Sequence, residues 1–456
     1  MGKYFATDGI RNKADYFTTD FLQKIALGLQ KYGEKKTAGK EISVLVGGDT
    51  RESSEWILAD LERAFESLGI ECRSVGVLPT PAINYVFYKL GFDFAIDVTA
   101  SHNPAVDNGI KIMERGEESG VKLSADGVEI IEETLENSES FPLVATNLQE
   151  SLHEDAVQLY TEHLESYTTA LGGKKADFKG LKLGIDFANG ATSTIGADIF
   201  KKFGAEVEIL HCEKKYGTKI NDRAGSTHLE KLTALVKEKG LDCGIAYDGD
   251  GDRCLMVAKD GTTVKGDEIM AIIAEYLGLK QVVVTVMSNQ GMFDWAKRKG
   301  VELEVVPVGD TNVSLAMREK KIQIGGEECG HIILPEQATG DGMLTSLAIV
   351  KIMAETGKDL AKLAGTVQIF PQVIHNMQAT AEEKALLAKN TEIQAILAEF
   401  EHKIESESGR LLVRPSGTEE LIRITLWGRD EVQIKNLSEE VRKALKAKFD
   451  EILKNN

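Results

Sequence analysis

Three stretches of the chain repeat one pattern, and that repeat constrains the fold more tightly than any single motif. Ile42–Gly48 (ISVLVGG), Leu181–Gly190 (LKLGIDFANG) and Gln281–Gln290 (QVVVTVMSNQ) each read as a β-branched strand running into a small or polar turn. Each is followed by a helix-length stretch, a glycine and a second strand. The second units are FESLGIECRSVGV, FKKFGAEVEILHC and AKRKGVELEVVPV, beginning at Phe65, Phe200 and Ala296. Strand–helix–Gly–strand implies right-handed crossovers between parallel strands, the α/β layout. Each repeat then supplies one further strand ending in a polar loop: FAIDVTASHNP, CGIAYDGDGDR and IQIGGEECGHI. Ligands bind at the carboxyl ends of parallel strands, so three similar domains carrying three such loops suggest one shared cleft. Duplication without chemistry would leave the same repeat; the content of the loops has to decide between the two.

After about residue 370 the pattern changes. Ala379 to Ser408 reads as helix rich in Glu, Lys and Ala, followed by the strand-like RLLVRPSGTEELIRITLWG. A final amphipathic helix carries Leu437, Val441, Leu445 and Phe449 at four-residue steps, a core-facing stripe. With about 150 residues per domain as the ordinary prior, 456 residues accommodate three or four domains. The expected division is 1–150, 151–257, 258–370 and 371–456. The expected fold class is α/β, with three similar α/β domains of mixed sheets and a smaller C-terminal α+β domain around a central cleft.

Charge narrows the function. A net charge of -18 argues against general binding to nucleic acid or to an anionic membrane, both of which need a cationic face. A small anionic substrate is still compatible, because local charge and backbone N–H groups set the field in a cleft. The five cysteines (Cys72, Cys212, Cys243, Cys254 and Cys329) are scattered and unpaired in sequence, as free thiols in a reducing compartment are. The opening MGKYFATDGI has no apolar signal segment, and Val282–Met287 is far too short to span a bilayer. The expected location is cytoplasmic.

Four loops carry chemistry. In DGDGDR (Asp248 to Arg253), three carboxylates alternate with glycines and can turn several oxygens toward one point. Hard oxygens of this kind suit Mg²⁺; an EF-hand is ruled out because the twelfth position is Lys259. A solvated Asx/Gly turn is the alternative. TASHNPAVDNGIK (Thr99 to Lys111) gathers Ser101, His102, Asn103, Asp107, Asn108 and Lys111. A serine hydroxyl can accept a phosphoryl group when a metal neutralises the phosphate and a neighbour takes the proton. Lys111 is a candidate proton carrier, and an Asx-rich turn with a capping serine is the alternative. GGEECGH (Gly325 to His331) offers Glu327, Glu328 and His331 as partners for sugar hydroxyls, or a solvated acidic surface. RPSGTEELIR (Arg414 to Arg423) combines a nest of backbone N–H groups at Ser416, Gly417 and Thr418 with two guanidiniums, a phosphate-binding set. A β-turn with two surface arginines would look the same. Arg11 and Arg51 are single-residue signals, each open to a structural ion pair or a substrate contact.

TASHNP with DNGIK, DGDGDR, GEECGH and RPSGTE, in that order across the chain, resemble the hallmark loops of the α-D-phosphohexomutase superfamily. KYFATDGIR, VDNGIKI, DRCLMV, KGDEIMAIIA and ATGDGM are similar to the branch that acts on glucosamine phosphates. The resemblance implies interconversion of hexose 6-phosphate and 1-phosphate through a phosphoserine at Ser101 and a bisphosphorylated sugar. Glucosamine phosphate, on the route to amino-sugar nucleotides and peptidoglycan, is the expected substrate, with glucose or mannose phosphates the alternative. The same resemblance implies Mg²⁺ on Asp248, Asp250, Asp252 and the Ser101 phosphate. It also implies Lys111 as general acid/base, with His102 and Arg253 lining the site. Arg11, Glu327, Cys329, His331, Arg414, Ser416, Gly417, Thr418 and Arg423 would contact substrate, in a monomer or homodimer. Several positions depart from the family pattern: Cys329 replaces a usual Ser, Glu328 a Gln or Asn, Glu420 a Pro, and Ala6 and Asn12 glycines. These bear on substrate preference more than on reaction type. A phosphatase using the same serine, and a non-enzymatic sugar-phosphate binder, are the remaining readings.

Overall fold

Ser43–Gly48 is the central strand of the first sheet, with parallel neighbours on both sides, Glu71–Val77 and Phe94–Val98. Asp107–Arg115 then runs antiparallel beyond Phe94–Val98. The second repeat reproduces the arrangement. Lys182–Asp186 lies between parallel Glu206–Leu210 and Cys243–Tyr247, and Cys254–Ala258 reverses direction outside the latter. The third keeps the order with shorter strands: Glu302–Val306, Gln281–Thr285, Gly325–Gly326 and Ile332–Ile333. The expectation of three similar α/β domains with mixed sheets is met. Every residue of Phe94–Val98 and of Cys243–Tyr247 is buried, as happens where helices cover both faces of a parallel sheet. The chemistry-bearing loops follow these buried strands directly, so each starts from a rigid base.

The computed structural model describes residues 2–6, 9–117, 119–144, 151–213, 216–406, 408–416 and 420–454, with the backbone of 455. Two compact units emerge: Met1–Thr285 with Glu304–Thr366, and Val286–Leu303 with Val367–Asn456. The first holds the loops after Val98, Tyr247 and Gly326. In the second, Leu421–Trp427 pairs antiparallel with Gln372–Gln378 on one side and Arg410–Pro415 on the other. The stripe Leu437, Val441, Leu445 and Phe449 of the last helix, Glu431–Asn455, is buried against Ile422, Ile424 and Leu426. Each such side chain contributes about 1.5–3 kcal/mol on burial.

One expectation for this region is corrected, and one strand is added to it. The stretch read as one helix from Ala379 to Ser408 is two, Ala381–Lys389 and Thr391–Glu405. Asn390 breaks it, because its side chain accepts from the N–H groups of Glu392 and Ile393 and starts the second helix. The strand Gln372–Gln378 was not anticipated from the sequence; of its seven residues only Met377 is buried, so no alternating apolar face marks it. Asn289 anchors the helix Gln290–Lys299 into the same unit. Its Oδ1 accepts from Phe370 N at 2.9 Å and its Nδ2 donates to Phe370 O at 3.0 Å. The Arg410 guanidinium lies 4.5 Å from the ring centre of Phe293 and 4.0 Å from that of Trp427. Among the described residues, no helix is long and apolar enough to cross a membrane.

Candidate active site

Thr99 and Ala100 leave the buried strand Phe94–Val98 and turn sharply at Ser101, whose φ is +51°. The left-handed region costs a non-glycine residue roughly 1–2 kcal/mol, and local bonds hold it there. Thr99 Oγ1 accepts from Ser101 N at 2.9 Å and itself donates to Asp49 Oδ2 at 2.7 Å. The result is that Ser101, only 1% exposed, points its hydroxyl at the second repeat. Ser101 Oγ donates to Asp248 Oδ2 at 2.8 Å. The serine of the first domain and the carboxylates of the second are therefore one cluster.

Asp248, Asp250 and Asp252 are all buried, and each offers an oxygen within 4.8 Å of the others. The intervening glycines are sterically required. A Cβ on Gly249 would lie 2.5 Å from the Ser101 carbonyl oxygen, and one on Gly251, at φ +72°, 2.4 Å from Thr192 Cγ2. The protein neutralises the trio only in part. Lys111 Nζ lies 2.8 Å from Asp250 Oδ2 and 3.4 Å from Asp252 Oδ2, and Arg253 Nε is 3.8 Å from Asp252 Oδ1. Burial, then the charges of Asp250 and Asp252, push the Asp248 carboxyl well above the usual range. Against the effect of burial, Lys111 and His331 pull Asp252 well below it. Asp250 Oδ1 and Asp252 Oδ1 are buried without a hydrogen-bond partner. Buried carboxylate oxygens left open beside an electrostatically strained neighbour are what a hard divalent cation satisfies. The residues fit such an ion.

His102 stands at the rim, with Nδ1 3.3 Å from Ser101 Oγ and 3.1 Å from Arg253 Nη1. A guanidinium can only donate, so Nδ1 is the unprotonated nitrogen. Burial, followed by the charges of Arg253 and Arg11, lowers the His102 pKa to about 4. Arg11 reaches this neighbourhood from the strand Ile10–Lys13, where it is paired in register with Gly109.

The third repeat closes on the same cluster. His331 is buried with Nδ1 3.5 Å from Asp252 Oδ2, while its Nε2 accepts from Gly340 N at 3.2 Å. Arg253 and His331 also share a backbone bridge. Glu327 Oε1 accepts from Gly309 N at 3.1 Å, Glu328 pairs with Lys265 at 2.7 Å, and Cys329 is exposed. The third loop thus leaves Glu327 half-buried and Cys329 exposed, and turns His331 inward.

In the second unit Arg414 and Arg423 are register partners across the hairpin. Burial and the neighbouring Arg423 charge lower the Arg414 pKa, as two guanidiniums held side by side do. Ser416 N donates to Leu421 O at 2.9 Å. Gly417 and Thr418 lie outside the described residues.

Two contributors, Thr80 and Asp97, carry no sequence signal of their own. Thr80 N donates to Asp250 O at 2.9 Å, and its hydroxyl lies 3.1 Å from Asp250 Oδ2 and against buried Asp97. Asp97 faces Lys111 in the strand ladder. Arg51, read from sequence as either an ion pair or a substrate contact, is fully buried, with its Nε on Asp49 at 2.9 Å. A cavity of about 410 Å³ lined by Tyr85, Tyr160, His163 and Tyr167 is separate and includes none of the carboxylate trio.

Four family descriptions match in order. They are phosphoglucomutase/phosphomannomutase alpha/beta/alpha domain I over residues 2–141, domain II over 158–261, domain III over 265–370, and the C-terminal domain over 377–444. A phosphoglucosamine mutase of Caldicellulosiruptor bescii is 39% identical over 460 residues, covering 98% of this chain and 100% of that one. The crystal structure of a phosphoglucomutase/phosphomannomutase family protein from Burkholderia thailandensis superposes with a TM-score of 0.76 at 21% identity, covering 97% of each chain. The N-acetylphosphoglucosamine mutase of Aspergillus fumigatus, solved with GlcNAc-6P and magnesium, gives 0.65 at 17% identity, covering 98% of this chain and 95% of that one. At these identities the two structures speak for the fold.

Proposed function

We propose, for a chain that belongs to the phosphoglucomutase/phosphomannomutase family, that it is a phosphosugar mutase interconverting glucosamine 6-phosphate and glucosamine 1-phosphate. One observation carries the mechanism: the 2.8 Å bond from Ser101 Oγ to a carboxylate of the buried aspartate trio. Curated relatives named phosphoglucosamine mutase, 36–40% identical over nearly the whole chain, support the substrate.

Ser101 Oγ carries the phosphoryl group. In the first transfer the free hydroxyl oxygen of the hexose monophosphate forms the new O–P bond as the Oγ–P bond breaks. The hydroxyl proton passes by way of Lys111 Nζ to the serine oxygen. The bisphosphorylated sugar then turns over, and Ser101 Oγ bonds to its other phosphorus as that sugar O–P bond breaks; the serine proton returns by way of Lys111 Nζ to the sugar oxygen, and the phosphorylated enzyme is restored. Mg²⁺ on Asp248, Asp250, Asp252 and the serine phosphate would supply charge neutralisation for the group in transfer. Arg253 and Lys111 hold the carboxylates in place while the serine changes state. Glu327, Cys329 and His331 belong to the sugar loop in this scheme. Arg11, and Arg414 with Ser416, Gly417, Thr418 and Arg423, supply phosphate contacts. The scheme takes the chain as four parts, 1–150, 151–257, 258–370 and 371–456.

A coupled assay of glucosamine-, glucose- and mannose-6-phosphate side by side tests the substrate. Glucosamine 6-phosphate is expected to lead in kcat/KM by more than about tenfold, the discrimination available to a site that hydrogen-bonds one substituent. Preference for glucose or mannose phosphate would reassign the substrate and leave the chemistry intact. Phosphate release outrunning isomer formation would make the enzyme a phosphatase.

A further inference from the structure

Ser101 occupies a strained backbone position, and the loop that carries it is bonded from two sides by donors far away in sequence. On one side is Arg51. Its Nη2 donates to the carbonyl oxygens of Ser101 and Asn103, each at 2.9 Å. Its Nη1 donates to Pro104 O and to Asp107 O, and its Nε to Asp49 Oδ2. A guanidinium has five N–H groups, and all five are engaged here. None is left for a substrate, which resolves the ambiguity of this residue in the sequence.

On the other side is Asn221, contributed by the second repeat. Its Nδ2 donates to the same two carbonyls, Ser101 O at 2.8 Å and Asn103 O at 3.0 Å. Asn221 is itself fixed in a left-handed conformation, φ +60°, with its backbone N–H on Ala188 O at 2.9 Å. The metal loop lies against this contact: a Cβ on Gly249 would sit 2.5 Å from Ser101 O and 2.9 Å from Asn221 Nδ2. Serine loop, carboxamide and aspartate loop therefore meet at one point.

We infer that Asn221 is a positioning residue for the phosphoryl-carrying serine. Working against the fixed Arg51 fork, it sets the separation of Ser101 Oγ from the carboxylate trio. This rests on Ser101 being the phosphoryl carrier proposed above. Arg51 keeps the loop folded within its own domain; Asn221 ties the loop's backbone across to the domain that carries Asp248, Asp250 and Asp252, beside the side-chain links of Ser101 to Asp248 and His102 to Arg253. Loss of the carboxamide leaves the loop intact and its register to the trio loose. Misplacement of a reacting group by about 1 Å can cost on the order of 10²-fold in rate.

The test is Asn221→Ala beside Asn221→Asp, which keeps the side chain's size while replacing the donor by an acceptor facing two carbonyl oxygens. Either variant alone suffices should the other fail to fold. With the most active hexose 6-phosphate, kcat is expected to fall about 10–100-fold, with KM and melting temperature little changed. Amide exchange over 99–108 is expected to accelerate. A kcat within about twofold of the unsubstituted enzyme, or a KM that rises in step with the loss, would overturn the inference and leave the proposed function standing. Absence of mutase turnover in the unsubstituted enzyme with every hexose phosphate would overturn both.

Discussion

The serine loop and the aspartate loop occupy the same place in successive repeats, each between a buried third strand and an antiparallel fourth. They are finished in opposite ways. Around Ser101 every prominent acceptor is filled: two carbonyls receive two donors each, and Asp49 receives Arg51, Thr99 and Ser54. Around Asp250 and Asp252, buried oxygens are left open. A loop that must hold a nucleophile at a fixed point gains from saturation. A loop that must hold a cation cannot saturate its own lone pairs, and the cost of leaving them bare is met when the ion arrives. One fold thus supports a closed site and an open one at equivalent positions.

The sharpest way to break this contrast is Ser101→Ala. Removal of the proposed phosphoryl carrier is expected to lower kcat by at least about 10⁴-fold and to abolish the added mass of one phosphate in the intact protein. The bonds that hold the loop are made by the Ser101 backbone and the one to Asp248 by its hydroxyl, so the fold should persist with at most a small fall in melting temperature. Appreciable turnover in that variant would remove the reason for the saturated loop.

Asp250→Asn acts on the open side. It replaces a charged ligand while sparing the shape of the loop, and is expected to raise the metal concentration for half-maximal activity by about 10–100-fold or more, at least the effect of losing a supporting group around a metal. Calorimetric titration with Mg²⁺ gives the same quantity without turnover. An unchanged titration would mean the bare oxygens serve another purpose.

The smallest effect concerns pH. His102 has a folded pKa near 4 against about 6.5 in an unfolded chain. Between those values the unfolded chain binds a proton that the folded one refuses, so stability rises with pH across that window and is complete above about 6.5. His102→Gln should flatten this slope in denaturant unfolding measured from pH 4 to 7. A slope as steep as in the unsubstituted protein would place the responsible group elsewhere.

Much of this site was legible along the chain because its chemistry is local. DGDGDR has its carboxylates and glycines within six residues, and TASHNP delivers the hydroxyl at a strand end, so spacing alone points to both. Arg51 and Asn221 could not be read this way. Their acceptors are backbone carbonyls, present at every residue and silent in sequence, and Asn221 lies 120 positions from Ser101. Thr80 was missed for the same reason. Asn390 is different: an asparagine within a long helical stretch is a readable cap, and only the surrounding Glu, Lys and Ala residues masked it.

By itself the sequence determined the three-fold repeat, the α/β class and which side chains are candidates for the chemistry, because strand patterning, turn residues and ligand chemistry act over a few neighbouring residues. Tertiary structure alone decided that Ser101 Oγ meets Asp248 at 2.8 Å, that His331 turns inward to Asp252, and that Arg51 is consumed by the backbone rather than open to a substrate. The first two outcomes depend on how separate domains register against one another, and the third on how the first domain folds back on its own serine loop. That registration is fixed by packing and by hydrogen bonds to main-chain oxygens, which no pattern of side chains records.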